Sequence, residues 1–203
     1  HSACRRVGAR LVLPGQTGEN APLPGLAPYE ADDVRLGISV AESLLERGLP
    51  AGVEQKVARA VGEALPGRFE VHRVEGVPVV VDGGHNTAGL SAALAGIHAV
   101  YGERPLSVVF GVLREKDAAS MLAGLKGEAD DIVLTRPESE RAADPADLEY
   151  GLPERGESRA RVVEDPVEAL GVAVEAVREV AGVVLVTGSL STAAPVLRWL
   201  REA

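Results

Sequence analysis

A chain of 203 residues with 46% hydrophobic side chains can bury a real core, and its length suits one large domain or one domain plus part of another. Against 21 basic side chains stand 30 acidic ones, a formal net charge of -9 that works against sequence-independent binding of nucleic acid or of an anionic membrane surface. No apolar run approaches the roughly 20 residues that cross a bilayer, no signal peptide is visible, and the one cysteine, Cys4, cannot close an intramolecular disulfide, so a soluble protein of a reducing, cytoplasmic compartment is expected.

The opening HSACRRVGARLVLPG lacks a starting methionine and reads as the middle of a longer polypeptide. One strand, ARLVLPG, precedes a Pro/Gly-rich loop from Pro14 to Pro28. A helix follows with Val34, Ile38, Ala41 and Leu45 on one face, stopped by Gly48 and Pro50, and a second with Val53, Val57 and Val61 runs to Leu65. One strand and two helices enclose no core of their own. Residues 1–66 are therefore expected to be the tail of a preceding domain, with the boundary at Pro66-Gly67, and residues 67–203 a domain in their own right.

From residue 70 the order becomes strand, turn, helix. The runs VPVVV (77–81), LSVVF (106–110), DIVLT (131–135) and GVVLVT (182–187) alternate with helical stretches near 88–101, 118–125, 166–180 and 192–202. Continuous valine-rich runs mark parallel strands buried on both faces, and the alternation predicts an α/β, Rossmann-like, doubly wound sheet. FEVHRV (69–74) is close enough to VPVVV, across Glu75 and Gly76, to form a hairpin and supply an antiparallel edge strand. SRARVV (158–163) is a weaker strand candidate, and the charged stretch from Arg136 to Arg159 reads as irregular loop. Thr87 and Asp117 are candidate helix caps, and Pro195 is expected in the first turn of the last helix.

In an open parallel sheet, ligands bind outside the carboxyl ends of the strands. Here those ends lead into DGGHN, GVLREKD, RPESER and GSLST, which bring Asp82, His85, Lys116, Arg141 and Ser189 to one edge. Asp-Gly after a strand is commonly a hairpin turn, but TAGLSAALAGIHAV beyond it is helical in composition and spacing, so the hairpin reading fails. Gly83 and Gly84 would then admit a ligand close to the backbone, and Asp82 could accept from sugar hydroxyls or serve the turn alone. His85 reads as a cap, a buried histidine or a site residue. Lys116 is either solvated or part of an anion site beside a helix N-terminus. Ser189 and Arg141 divide in the same way between loop and ligand, while His72 and His98 read as structural. No His/Cys/Asp/Glu set has metal-ligand spacing, and the dinucleotide, P-loop and serine-elbow motifs are absent.

Taken together, PGRFE (66–70), VVVDGGHNTAG (79–89), VVFGVLREKD (108–117), TRPESERA (135–142) and VTGSLS (186–191) resemble the carboxyl-terminal region of folylpolyglutamate synthase/dihydrofolate synthase, within the Mur ligase superfamily. DGGHN preceded by PGR is the superfamily's pattern, and the later FG and KD pull it toward the folate branch. The resemblance implies an ATP- and Mg2+-dependent ligase that joins L-glutamate to a folate or dihydropteroate carboxylate through an acyl phosphate. It implies that Arg68 reaches the ATP phosphates, that Asp82 holds the ribose, that His85 and Ser189 position glutamate, and that Lys116 adds positive charge beside it. Glu30 and Asp33 stand where the family has Gln and Asn, the latter an adenine contact; a carboxylate accepts from the base but cannot donate to it. The P-loop domain and the metal ligands are expected in a missing amino-terminal part of the polypeptide, and residues 1–203 would be inactive alone. The alternatives are another Mur-type amide ligase or a non-catalytic Rossmann-like binding module.

Overall fold

The valine-rich runs and the helices between them divide into two units, His1–Ala64 and Leu65–Ala203, in a computed structural model that describes residues 23, 26–150 and 159–202. Cys4, the strand expected at ARLVLPG and most of the loop after it lie outside the described residues, as do 151–158.

In the first unit, α1 spans Pro28–Leu45 and α2 spans Val53–Ala64. Pro28 begins α1, where its missing N–H costs nothing, and the Glu30 carboxylate turns back to accept from Ala27 N over 2.9 Å. The helix stops at Glu46, whose φ of 51° is left-handed, ahead of the expected Gly48 and Pro50. Leu23, Ala31, Val34 and Ala58 form a small core, with Ile38, Val57 and Val61 packed on it, and Arg35 Nε bonds Glu54 Oε1 across the two helices at 3.0 Å. Leu45, expected on the buried face, is 51% exposed.

The second unit is built on a six-stranded sheet of order β1-β2-β6-β3-β4-β5: β1 Glu70–Val74, β2 Val77–Val81, β3 Leu106–Phe110, β4 Asp131–Leu134, β5 Arg159–Val162 and β6 Val183–Thr187. β1 and β2 form the expected hairpin, Val74 opposite Val77, over Glu75 and Gly76 at φ 49° and 84°, as a two-residue turn with two positive-φ residues requires. The other neighbouring pairs are parallel. Between strands run α3 Thr87–Tyr101, α4 Ala118–Leu125, α5 Pro145–Tyr150, α6 Pro166–Arg178 and, last, α7 Leu190–Glu202.

Strand alternation assigns the faces. Val77, Val79, Val81, Val109, Val133, Val184 and Val186 share one core with Ala169, Ala173 and Val177 of α6 and Val196 of α7. Their neighbours Val80, Val108, Phe110, Ile132 and Leu185 are equally buried and point to the other face, the one left for α3 and α4, which pack on each other. β6 therefore enters the sheet between β2 and β3 but continues into a helix on the opposite face from theirs. That reversal is the topological switch point of the sheet.

Three local expectations are corrected. Asn86, not Thr87, caps α3: its backbone is extended (φ -153°, ψ 170°), and its Oδ1 accepts from Gly89 N at 2.8 Å, so the helix starts one residue early. α7 starts at Leu190, which makes Pro195 its sixth residue rather than a first-turn one. The stretch Arg136–Arg159 is not wholly irregular, since Asp144 Oδ1 accepts from Ala146 N at 2.9 Å and opens α5 behind Pro145. That motif is short, and one capped turn leaves no periodicity to read. Among the described residues no helix is long and apolar enough to cross a membrane.

Candidate functional site

Glycines make the switch point narrow. After β2 and β6 the chains run so close that Gly188 N donates to Gly84 O at 3.0 Å, and Gly111 N after β3 donates to Thr187 O at 3.2 Å. Gly188 holds φ 101°, and a Cβ there would collide with the Gly111 carbonyl. Thr192 of α7 is fully buried and donates its hydroxyl to that carbonyl at 2.8 Å. The three strand ends are thus one bonded surface.

The segment before β1 is tied to this surface from both sides of Arg68. Gly83 N donates to Gly67 O at 2.7 Å, and Phe69 N donates to Asp82 Oδ2 at 3.1 Å. Asp82 is only 2% exposed, and its Oδ1 also accepts from Gly84 N at 2.8 Å. The Asp82 carboxylate thereby satisfies two backbone amides that would otherwise be buried without a partner. Phe69 is buried at φ 43°, a left-handed conformation that costs a bulky residue on the order of 1 kcal/mol or more. Arg68 itself is exposed, and among the described residues its side chain has no hydrogen-bond or ion-pair partner.

Glu70 anchors the same segment. Its Oε2 accepts from Gly67 N at 3.0 Å, and its Oε1 lies 2.9 Å from His72 Nε2 and 3.2 Å from Arg201 Nη2. Burial works to raise the carboxyl, but the hydrogen bonds from Gly67, His72 and Arg201 outweigh it and hold Glu70 below the ordinary glutamate value.

Of the residues singled out in the sequence, Arg68, Asp82, His85 and Ser189 fall on this surface. His85 is exposed, with Nδ1 3.4 Å from Gly83 O. Ser189 is buried and sits just before α7, its Oγ accepting from Ser191 N at 3.1 Å and its carbonyl accepting from Thr192 N and Ala193 N at 3.0 Å. Lys116 and Arg141 belong to a second cluster. There the loop after β3 is zipped to the loop after β4 by Arg114 N to Arg141 O at 2.9 Å, Ala143 N to Val112 O at 2.9 Å and a bridge between Leu113 and Ala142. The Arg141 guanidinium pairs with Glu115 at 2.8 Å, and both are exposed. Lys116 is half-buried, one residue before Asp117, whose carboxylate the Ser120 hydroxyl and backbone N–H hold below the ordinary aspartate value as it caps α4. Asp33 is exposed in the first unit, and Glu30, its companion in the PYEADDV segment, is the buried helix cap described above.

Sequence reasoning missed Phe69, Leu190 and Thr192. Leu190 is 55% exposed, and its side chain occupies the space that a Cβ on Gly83 would need. The leucine is plain in GSLST, but its neighbour Gly83, 107 residues away in the chain, is brought to it only by the fold.

The surface suits anions: an arginine with no side-chain partner among the described residues, a histidine and a helix start lie at the switch point, and the acidic side chain among them is turned inward onto backbone amides. Among the described residues no group of three His, Cys, Asp or Glu side chains comes together as a metal cage.

Residues 67–190 match the family described as Mur ligase, glutamate ligase domain. The dihydrofolate synthase/folylpolyglutamate synthase of Mycobacterium tuberculosis is 32% identical over 180 residues, 86% of this chain and 37% of that protein. A UDP-N-acetylmuramoyl-L-alanyl-D-glutamate–2,6-diaminopimelate ligase of Alkalilimnicola ehrlichii is 32% identical over 177 residues, 81% of this chain and 34% of that one. Among solved structures, Mycobacterium tuberculosis folylpolyglutamate synthase complexed with ADP and AMPPCP superposes with a TM-score of 0.75 at 30% identity, over 88% of this chain and 41% of that one. The chain thus spans between 21% and 37% of the length of the curated relatives it matches.

Proposed function

The chain belongs to the Mur ligase family through its glutamate ligase domain, and from that premise we propose that it is the carboxyl-terminal part of an ATP-dependent ligase that joins L-glutamate to a folate or dihydropteroate carboxylate. The observation that carries this reading is the paired tether across Arg68. A backbone bond from Gly83 and a bond to the Asp82 carboxylate hold Gly67 and Phe69 to the loop after β2, and the residue between them, Arg68, is left exposed, with its neighbour Gly67 against Leu190 at the start of α7. Such a group is fitted to an anion rather than to a structural ion pair. A relative solved with ADP and AMPPCP makes nucleotide phosphate the natural choice.

ATP would supply the activation of the acceptor carboxylate. The residues here bind and orient. Arg68 takes the phosphates, Ser189 and His85 take the glutamate carboxylates, and Lys116 adds positive charge near them. Bringing two anions together calls for donors and cations more than for a strong base. Asp82 meets the ribose in this reading, and its first effect is to shape the loop that carries Arg68, through the two backbone amides its carboxylate accepts from. Asp33 belongs to the adenine side, in the first unit. Mg2+ and its ligands belong to the P-loop and central parts of the full enzyme, outside residues 1–203; residues 1–66 are the tail of that central part and 67–203 the glutamate-ligase domain. The setting is cytoplasmic.

The folate branch is preferred to a cell-wall substrate because the structural match and the FG and KD elements both lie there. The test is an assay of the full polypeptide for ADP release that requires both L-glutamate and a pteroate or folate. Release driven instead by a UDP-muramoyl peptide assigns the enzyme to the cell-wall branch, and a polypeptide without a glycine-rich P-loop ends the ligase reading. Within an active ligase, Asp82→Ala raises KM for ATP and Ser189→Ala chiefly raises KM for glutamate; equal effects of the two on ATP contradict these roles.

A further inference from the structure

Gly96 is the tenth residue of α3, well inside the helix, where glycine is a poor helix former. Its place is explained by Phe69. A Cβ at position 96 would lie 2.5 Å from Cε2, 3.0 Å from Cζ and 3.2 Å from Cδ2 of the Phe69 ring. The missing side chain is therefore a slot, and the ring fills it. Phe69 is buried to 7% exposure, its backbone is left-handed at φ 43°, and its N–H is fixed on Asp82 Oδ2 at 3.1 Å. On the other side of Arg68, Gly67 O is fixed by Gly83 N at 2.7 Å.

Arg68 has nothing of its own to hold it among the described residues, so its direction is set by its two neighbours. We propose that Gly96 is a positioning residue for Arg68: the slot it leaves in α3 seats the Phe69 ring, which holds the preceding arginine at the angle that meets nucleotide phosphate. A side chain at 96 would drive the ring outward, and the backbone that carries Arg68 would turn with it. This inference rests on the phosphate-binding role assigned to Arg68 above.

The test uses the full ligase and four variants: Gly96→Ala, Phe69→Leu, the double variant and Arg68→Ala. Displacing a binding group by an ångström costs up to about 100-fold. Gly96→Ala is expected to raise KM for ATP about tenfold while KM for L-glutamate stays near wild type, a split that a general loss of folded enzyme does not produce. Leucine lacks the ring-edge atoms that meet the new methyl group, so the double variant should return KM for ATP to that of Phe69→Leu alone. An unchanged KM for ATP in Gly96→Ala, or an equal rise in both KM values, overturns the proposal. Should Gly96→Ala fail to fold, Phe69→Leu, which loosens the same contact without a clash, decides: no selective rise in KM for ATP overturns it equally. Arg68→Ala separates the two levels. If it leaves KM for ATP unchanged, the phosphate role itself falls; if it raises KM while Gly96→Ala and Phe69→Leu do not, the positioning inference alone falls.

Discussion

Glu138 donates its backbone N–H to the carbonyl of Ser191 over 3.0 Å. In a regular helix that carbonyl would accept from the residue four positions on, which is Pro195 and has no N–H. The proline inside α7 therefore does not simply weaken the helix. It leaves an acceptor that the loop after β4 uses, and the Glu138 carboxylate reinforces the join with both oxygens on Arg198, at 2.9 and 2.7 Å. Through this contact the loop bearing Arg141 is tied to the helix that Ser189 opens. Pro195→Ala would restore the competing N–H. The Glu138 amide should then exchange with solvent faster, while the remaining α7 amides slow. Amide hydrogen exchange read residue by residue checks this, and unchanged protection at Glu138 would contradict it.

Glycines of the second unit should answer oppositely to alanine according to what surrounds them. Gly188 combines φ 101° with a carbonyl where the Cβ would go, so Gly188→Ala is expected to cost about 2 kcal/mol or more. Gly171 in α6 has nothing within 4 Å of that position, and Gly171→Ala should stabilise by about 0.5–1 kcal/mol through helix propensity. Urea denaturation of both variants measures the pair. Similar destabilisation by the two would mean that the narrow seam at the switch point is not what constrains Gly188.

The strands, the hairpin and the carboxyl-end edge were legible in the sequence because each depends on residues near one another in the chain. Val77 to Val81 announces a strand buried on both faces without reference to anything else, and Glu75-Gly76 carries its own turn geometry. What stayed hidden depends on pairs brought together by the fold. The burial of Asp82 on Phe69 N spans 13 residues, the slot at Gly96 spans 27, and the use of Ser191 O by Glu138 spans 53. The start of α7 was misplaced for a related reason. Proline is expected at a first turn, and only the partner loop explains a proline at the sixth position.

The Glu70 anchor makes a pH prediction whose sign follows from its lowered carboxyl. A group ionised more readily in the folded state than in the unfolded one stabilises fully above its unfolded value, about 4.3 for glutamate, and loses that contribution as pH falls through the folded value. Glu70 is such a group, held down by Gly67 N, His72 and Arg201 against the opposing pull of burial. The stability difference between the wild type and Glu70→Gln should therefore be constant above about pH 5 and shrink below about pH 4. Denaturation midpoints over pH 3 to 7 test it. A gap that widens on acidification would show that Glu70 is not the anchor described.

Ser189 has two roles to separate, because the atom proposed to meet glutamate also caps a helix. Its Oγ accepts from Ser191 N at 3.1 Å, and loss of such a cap typically costs about 1 kcal/mol. Ser189→Ala should thus lower stability by about that amount and raise KM for glutamate, whereas Ser189→Thr keeps the hydroxyl and should retain most of both. The two effects part when stability is restored by other means. Adding Gly171→Ala, whose position opens onto solvent on α6, should bring Ser189→Ala back toward wild-type stability without bringing back its KM for glutamate. If KM recovers together with stability, Ser189 serves only the fold of α7, and the glutamate contact must be sought at His85.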